Sequence, residues 1–161
     1  MSSQLRVDKI LPVDGAPTGG GGGIIQVVST TKTDTFDTTS TSFVDITGLS
    51  VSITPKFSTS KILIQNSTTS CGTRDSSTFY ELYINRNSTR IHTIGTYIGL
   101  SLGTDVCFPT MCYMDSPGTT SAVTYNMIAL RKGGSANCYF NLDNGGSLSH
   151  NAVLMLMEVS A

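Results

Sequence analysis

The chain has 161 residues, of which 13% are charged and 39% are hydrophobic, and its formal net charge at pH 7 is −1. This length predicts one domain with a core large enough to be stable alone or nearly so. The pI of about 6.0 gives no basic field, so a nucleic-acid partner is not expected. No apolar run approaches the roughly 18 residues of a membrane-spanning helix, so membrane insertion is not expected either.

Residues 1–23 are predicted to form an extended arm followed by a glycine-rich linker. Two of the arm's apolar residues alternate with charged ones, so the arm can add as a short strand to another surface. The predicted docking residues are Leu5, Val7, Ile10 and Leu11. Gly19–Gly23 forms a flexible tether behind them. The alternative is that the arm folds back onto a sheet edge of its own domain.

Residues 24–161 are predicted to form one all-β domain, because every periodic segment repeats every two residues and no window shows a helical stripe. The 44 serine and threonine residues supply most of the polarity, and threonine favours strands. The predicted strands cover residues 24–28, 43–46, 49–53, 61–69, 79–84, 89–94, 106–114, 122–131, 137–142 and the C-terminal segment. Nine or ten short strands separated by turns are typical of a two-sheet antiparallel sandwich, and an eight-stranded jelly roll is the first choice.

The C-terminal strand is apolar on both of its faces. One face carries Ala152, Leu154 and Leu156, and the other carries Val153, Met155, Met157 and Val159. A strand at the surface of a soluble sandwich should be polar on its outer face. The second apolar face therefore predicts an interface between copies, formed by Val153, Met155, Met157 and Val159. The alternative is that a loop of the same chain covers this face.

The four cysteines are predicted to be reduced thiols that act as small buried hydrophobes: Cys71, Cys107, Cys112 and Cys138. The N-terminus lacks the apolar core of a signal peptide, so synthesis in a cytosol is expected. Cys107 and Cys112 are placed on one strand, where their spacing points them to opposite faces. No metal site is predicted, because no C-x₂-C pair or neighbouring histidine completes a set of four ligands.

No catalytic residue is predicted, and no cofactor. His92 and His150 lie outside the motifs of serine hydrolases and zinc proteases, so structural or surface roles are expected. A pair of catalytic carboxylates would be a spatial feature, and Glu81 and Glu158 are the two glutamates of the chain. The five-glycine run lacks the Lys-Ser/Thr ending and the following helix of a phosphate loop.

Several strand-and-turn segments together resemble those of the small fibre-like structural proteins of marine tailed phages, particularly phages of cyanobacteria. The resemblance covers nearly the whole chain and is carried by residues 5–10, 22–28, 43–55, 60–64, 115–117, 120–125 and the closing Leu-Met-Glu-Val. It implies a trimeric jelly roll, similar to the tumour-necrosis-factor shape, displayed on the virion. The family provides no catalytic residues to carry over.

The resemblance and the residues together predict a virion structural protein of the tail-fibre or appendage type. In this interpretation, residues 1–18 bind other virion proteins and a homotrimeric sandwich points outward, where it serves host attachment. The alternatives are a capsid decoration protein and a module that binds a host glycan or receptor. A glycan site usually presents aromatic faces, and the chain offers Tyr80, Tyr83, Tyr97 and Tyr113. An enzyme is a distant third interpretation.

Overall fold

The computed structural model describes residues 23–67, 71–73, 77–98, 106–107, 109–141 and 151–160. The predicted docking residues Leu5, Val7, Ile10 and Leu11, and also His150, lie outside the described residues. Every regular element in these ranges is a β-strand. None of the described segments forms a helix long and apolar enough to cross a membrane.

Twelve strands are present in the described part of the chain. They are β1 (Ile24–Lys32), β2 (Phe36–Thr38), β3 (Val44–Ile53), β4 (Lys61–Ser67), β5 (Cys71–Thr73), β6 (Tyr80–Arg86), β7 (Thr89–Ile98), β8 (Val106–Cys107), β9 (Thr110–Asp115), β10 (Val123–Arg131), β11 (Cys138–Phe140) and β12 (Ala152–Val159). The sequence predicted nine or ten strands. The additional ones are three residues long or shorter, which is too short for a two-residue period to be recognised.

Two four-stranded antiparallel sheets form the sandwich. The first sheet has the order β1-β12-β4-β9, and the second has the order β3-β10-β6-β7. Except for the β6–β7 hairpin, the chain moves to the opposite sheet from each of these eight strands to the next. This order is that of a jelly roll, in which β6 and β7 are the one pair of consecutive main strands that lie side by side in the same sheet. The predicted two-sheet antiparallel sandwich of jelly-roll type is therefore confirmed.

A third sheet, which the sequence did not predict, has the order β2-β11-β5-β8. Each of its strands lies in a connection that crosses from one main sheet to the other. Because neighbouring main strands are antiparallel, these four crossings all leave the sandwich at the same end. We call this the end sheet. Ile24 and Ser160 lie at the opposite end, where Ser160 N–H donates to the Gly23 carbonyl at 3.0 Å.

Two predicted segments are organised differently in the structure. Residues 106–114 were expected to form one strand, but β8 belongs to the end sheet and β9 to the first sheet, with Pro109 between them. Proline has no N–H to donate to a sheet ladder, so it ends the pairing here. Residues 43–46 and 49–53 were expected to be separate, but they form the single strand β3. A bulge opposite Met127 absorbs the extra residues, and Gly48 within it has a φ of +85°.

The β6–β7 hairpin was correctly predicted from the polar run Asn85-Arg86-Asn87-Ser88. Its two-residue turn consists of Asn87 and Ser88, whose φ angles are 45° and 68°. Positive φ at both central residues is the geometry of a type I′ turn, which matches the twist of antiparallel strands. The turn lies at the end of the sandwich opposite the end sheet, because β6 ends beside Tyr125, near the start of β10.

The core lies between the two main sheets and is built from the inward residues of every long strand. Its largest fully buried apolar side chains are Tyr80, Tyr125, Phe140, Ile46, Leu49, Ile62, Ile64, Leu82, Ile84, Met127 and Leu154. A buried polar network joins the sheets at the end opposite the end sheet. Tyr125 donates its hydroxyl proton to the Asp115 carboxylate at 2.7 Å, and Arg86 donates to both oxygens of the same carboxylate, at 3.0 and 2.9 Å. Burial and the Asp115 hydrogen bond both raise the pKa of Tyr125, which therefore remains a donor.

Candidate interaction surfaces

The C-terminal strand β12 occupies a central position in the first sheet. Its residues alternate as the sequence predicted, with Ala152, Leu154 and Leu156 buried in the core. Val153, Met155, Met157 and Val159 lie on the outer face, where each is partly exposed. The four residues predicted to form an interface between copies are thus brought together on one outer face.

An apolar row crosses the outer face of the first sheet from one edge to the other. It consists of Val27, Met157, Leu63 and Met114, which are consecutive partners in the register of the four strands. Val27 is 52% exposed and Met114 is 42% exposed. Ile24 (56% exposed) pairs with Val159 at the adjacent end of the sheet and extends the row. Three of the four exposed large hydrophobic residues in the described ranges therefore lie on this face.

The part of this face nearer the end sheet is more polar. The next row places Met155 between Ser29 and Gln65, and Gln65 pairs with Cys112. A shallow cleft of about 350 Å³ lies here and is lined by Gln65, Ser67, Thr110, Cys112, Val153 and Met155, among others. The prediction that all four cysteines are buried is wrong for Cys112, which is exposed. Its position in the edge strand β9 turns it outward, whereas the neighbouring Met111 points inward.

The other cysteines do not share one strand with Cys112, so the predicted placement of Cys107 was also wrong. Cys107 belongs to β8 in the end sheet, where its backbone pairs with that of Cys71. Cys71 and Cys138 are buried, as predicted. The reduced state of the thiols stays a prediction.

The outer face of the second sheet carries a small apolar cluster of its own. Tyr83, Ile128 and Leu130 are 7%, 4% and 7% exposed, although they point away from the main core. Phe43, in the chain segment before β3, packs beside this cluster, with its ring edge-on to Tyr83 at a centroid distance of 5.3 Å. Phe43 itself remains 46% exposed. The predicted strand 43–46 included Phe43, whereas β3 begins one residue later, at Val44.

Charged residues surround this cluster and form a cleft of about 650 Å³, which we call the aromatic cleft. The Arg90 guanidinium lies 4.6 Å from the ring centroid of Tyr83 and 5.0 Å from that of Phe43. Glu81 is buried and accepts a hydrogen bond from the Tyr83 hydroxyl at 2.7 Å. Lys132 Nζ lies 4.0 Å from the second oxygen of that carboxylate.

A second cleft on the same face, of about 350 Å³, is lined by hydroxyl, amide and carboxylate side chains. We call it the hydroxyl cleft. Its lining residues are Asp45, Ser50, Asn85, Asn87, Ser88, Thr124 and Asn126. Asn126 donates to the Asp45 carboxylate at 2.5 Å. The side-chain oxygen of Asn85 is buried and has no hydrogen-bond partner among the described residues.

The tyrosines proposed for ligand stacking have different environments. Tyr80 is fully buried in the core, so it is not available to a ligand. Tyr113 stacks on His92, with ring centroids 4.3 Å apart, where the edge strands β7 and β9 meet. The side chain of Tyr97 lies outside the described residues. Tyr83 alone of these four contributes to an open cleft in the described part of the chain.

The two glutamates are not brought together. Glu81 lies on the outer face of the second sheet, whereas Glu158 is fully buried on the inner side of β12. Glu158 accepts hydrogen bonds from the Gln26 side chain at 2.5 Å and from Lys56 N–H at 2.7 Å. Burial by itself raises the pKa of Glu158, but the Ser60 hydroxyl and these donors lower it by more, so the net shift is downward. No group of three potential metal-ligating side chains occurs within the described ranges.

Comparison with known proteins gives no family. No family model matches the sequence, and no curated protein matches it. The fold is similar to that of a chain from a solved structure of T=1 particles derived from infectious bursal virus, with a TM-score of 0.48 and 10% sequence identity. The match covers 98% of this chain and 41% of that one. This degree of likeness assigns neither a family nor a function.

Proposed function

We propose that this protein is a structural component of a phage virion, assembled as a homotrimer through the outer face of the first sheet. The observation that carries the proposal is the apolar row of Val27, Met157, Leu63 and Met114. These side chains lie on a surface whose polarity otherwise comes mainly from hydroxyl and amide groups. An uninterrupted row of this kind would promote nonspecific association if it were left exposed to water.

A second copy of the chain is the occupant that best suits this face. The face is a flat sheet surface with an apolar centre and polar margins, and obligate interfaces between identical chains have the same pattern. Lys61 lies at one end of it and Ser67 at the other. Because the face carries little charge, identical copies can approach without like-charge repulsion.

The positions of the chain ends support an anchoring role for residues 1–18. Strand β1 begins at Ile24, at the end of the sandwich opposite the end sheet. An arm attached here would hold this end towards a virion platform and turn the end sheet outward. Three arms on one trimer would bind a common platform with high effective concentration. Tail-fibre and capsid-decoration positions both satisfy this arrangement, and we favour the tail fibre or appendage on the family resemblance.

Deletion of residues 1–18 tests the anchoring role. The shortened chain is expected to form a trimer with nearly unchanged melting temperature, since β1 and every described core residue remain. It is also expected to fail to join particles that lack the native protein. A shortened chain that unfolds would place the arm within the domain, and one that still joins particles would exclude the arm as the anchor.

A further inference from the structure

We propose that the outer face of the second sheet is a binding site for an acidic saccharide, with the acidic sugar in the aromatic cleft and a neighbouring sugar in the hydroxyl cleft. The inference deepens the attachment role and rests on the proposed function for its biological meaning. The binding itself can be measured on the isolated protein.

The aromatic cleft provides an apolar platform beside polar groups. Phe43 is 46% exposed, and its ring is held in place by the edge-on contact with Tyr83. Tyr83 is in turn fixed by its hydrogen bond to Glu81. A pyranose ring has a face of C–H groups that packs on an aromatic ring, while its hydroxyls need polar partners at the rim. A rigid, partly exposed ring within a polar cleft meets both requirements.

The charge of the aromatic cleft favours an anion. Arg90, Arg131 and Lys132 contribute three positive charges and Glu81 one negative charge, which leaves a net charge of +2 (3 − 1) in its lining. The whole chain carries a net charge of −1, so this excess is local. Lys132 approaches Glu81 only to 4.0 Å, and its side chain is 49% exposed. These cations can therefore pair with a carboxylate or sulfate on the ligand.

An unsatisfied donor also lies at this cleft. Arg131 donates through Nη1 to the Gly134 carbonyl, but its Nε is buried and has no hydrogen-bond partner among the described residues. Buried polar atoms in proteins are usually hydrogen-bonded, and an exception indicates a missing partner such as a ligand or a water molecule. Asn85 presents an unsatisfied buried acceptor at the hydroxyl cleft. The two clefts thus provide one donor and one acceptor for the same ligand.

The two clefts are adjacent along the strands that form them. On β10 and β6, the pair Ile128–Tyr83 belongs to the aromatic cluster and the pair Asn126–Asn85 to the hydroxyl cleft. These pairs are two residues apart, which corresponds to about 7 Å. The hydroxyl cleft contains Asp45, which would repel a second anionic group but accept hydrogen bonds from neutral sugar hydroxyls. This order of charges favours a mixed acidic and neutral saccharide over a nucleic acid, which needs a continuous line of cations.

Calorimetric titration of the full-length protein tests the assignment with three probes: 3′-sialyllactose, which joins one acidic sugar to two neutral ones, lactose, and sodium acetate. Sialyllactose is expected to bind at least tenfold more tightly than lactose, and its affinity should fall as salt is added. Acetate is expected to show no measurable binding. Equal affinity for sialyllactose and lactose, displacement of sialyllactose by equimolar acetate, or no binding of either sugar would each overturn the proposal.

Substitutions of residues that line the aromatic cleft test whether the saccharide binds there. Arg90→Gln and Phe43→Leu are each expected to weaken sialyllactose binding by about tenfold, because one removes a charged donor and the other removes the ring. Lys56→Gln, which removes an exposed charge outside the lining of both clefts, is the matched control and should bind normally. Melting curves establish that each variant is folded. Arg90→Gln binding like the unmodified protein would overturn the site.

The same samples separate this inference from the proposed function. If the mass of the protein in solution shows no trimer while sialyllactose binds, the saccharide site stands and the assembly proposal fails. If the trimer forms and no sugar binds, the assembly proposal stands and the saccharide site fails.

Discussion

The two outer faces of this sandwich are built from strands with the same alternation, yet they expose different chemistry. The first sheet places side chains without charge or hydrogen-bonding capacity in one row across four strands. The second sheet buries its outward apolar residues beside Phe43 and surrounds them with charged and amide groups. The first arrangement favours contact with another apolar surface, whereas the second favours a small polar ligand. This difference between the faces suits a protein that would assemble through the first sheet and leave the second sheet open to a ligand.

Of the substitutions predicted here to distinguish the two faces, Met157→Asp is expected to have the largest effect, because it changes the oligomeric state. Unmodified protein should have a mass in solution three times that of the 17.1 kDa chain. A carboxylate in the middle of the apolar row would be buried without a partner, at a cost of several kcal/mol per chain. The variant is therefore expected to sediment as a monomer.

Thr47→Asp is the matched control, because it adds the same charge at an exposed position of β3 in the second sheet. It should leave the trimer intact. A Met157→Asp protein with unchanged mass and melting temperature would show that the first sheet's outer face is not the interface.

The alternation that distinguishes the faces could be predicted from the sequence, but the composition of each face could not. The two-residue period of β12 placed Leu154 inward and Met155 outward without knowledge of the neighbouring strands. The same period places Glu158 inward and Tyr80 beside Leu82 in the core, so the expectation that Tyr80 is available to a ligand was wrong even by the alternation. The partners Val27, Leu63 and Met114 are distant in sequence, and only the strand order brings them beside Met157.

The end sheet and the clefts could not be predicted from the sequence, because their residues come from short or widely separated segments. Strands such as β2 and β5 have three residues, so they contain too few positions to show a period. The aromatic cleft brings together Phe43, Arg90 and Lys132 from separate elements of the second sheet and its flanks. The net positive charge of this cleft follows from the three-dimensional arrangement of these side chains and not from any run of charged residues in the sequence.

Asp115→Asn is expected to lower the stability of the sandwich without changing a side chain on the outer face of either sheet. The Asp115 carboxylate belongs to the first sheet and accepts hydrogen bonds from Arg86 and Tyr125 of the second. Neutralising it is expected to lower the free energy of unfolding by about 1–3 kcal/mol, because the buried network loses its negative charge and one of its two acceptor oxygens. Chemical denaturation measures this change.

Asp37→Asn, at an exposed position in the end sheet, is the control and is expected to change stability by less than about 0.5 kcal/mol. Equal stability of the two variants would mean that the buried network does not hold the sheets together.

Glu158→Gln tests the inner side of the strand whose outer side carries Met157. The pKa of Glu158 in the folded protein lies below its ordinary value of 4.5, so the charged carboxylate stabilises the fold above that pH. This contribution is lost as the pH falls through the lowered pKa. The unmodified protein should therefore lose more stability than Glu158→Gln between about pH 5 and pH 3. Parallel melting profiles of the two proteins across this range would contradict the assignment.

Cys112→Ser is expected to have the smallest effect on stability, within about 0.5 kcal/mol, because the thiol is exposed on the edge strand β9. Its reactivity nevertheless reports on the first sheet's outer face. Cys112 lies in the same row as Met155, separated from it by Gln65, so an interface that covers the whole sheet would slow alkylation of this thiol. Iodoacetamide should modify Cys112 faster in the monomeric Met157→Asp protein than in the trimer, while the buried Cys71 and Cys138 react slowly in both. Equal rates at Cys112 would mean that the interface covers the apolar row but does not extend along β9 to Cys112.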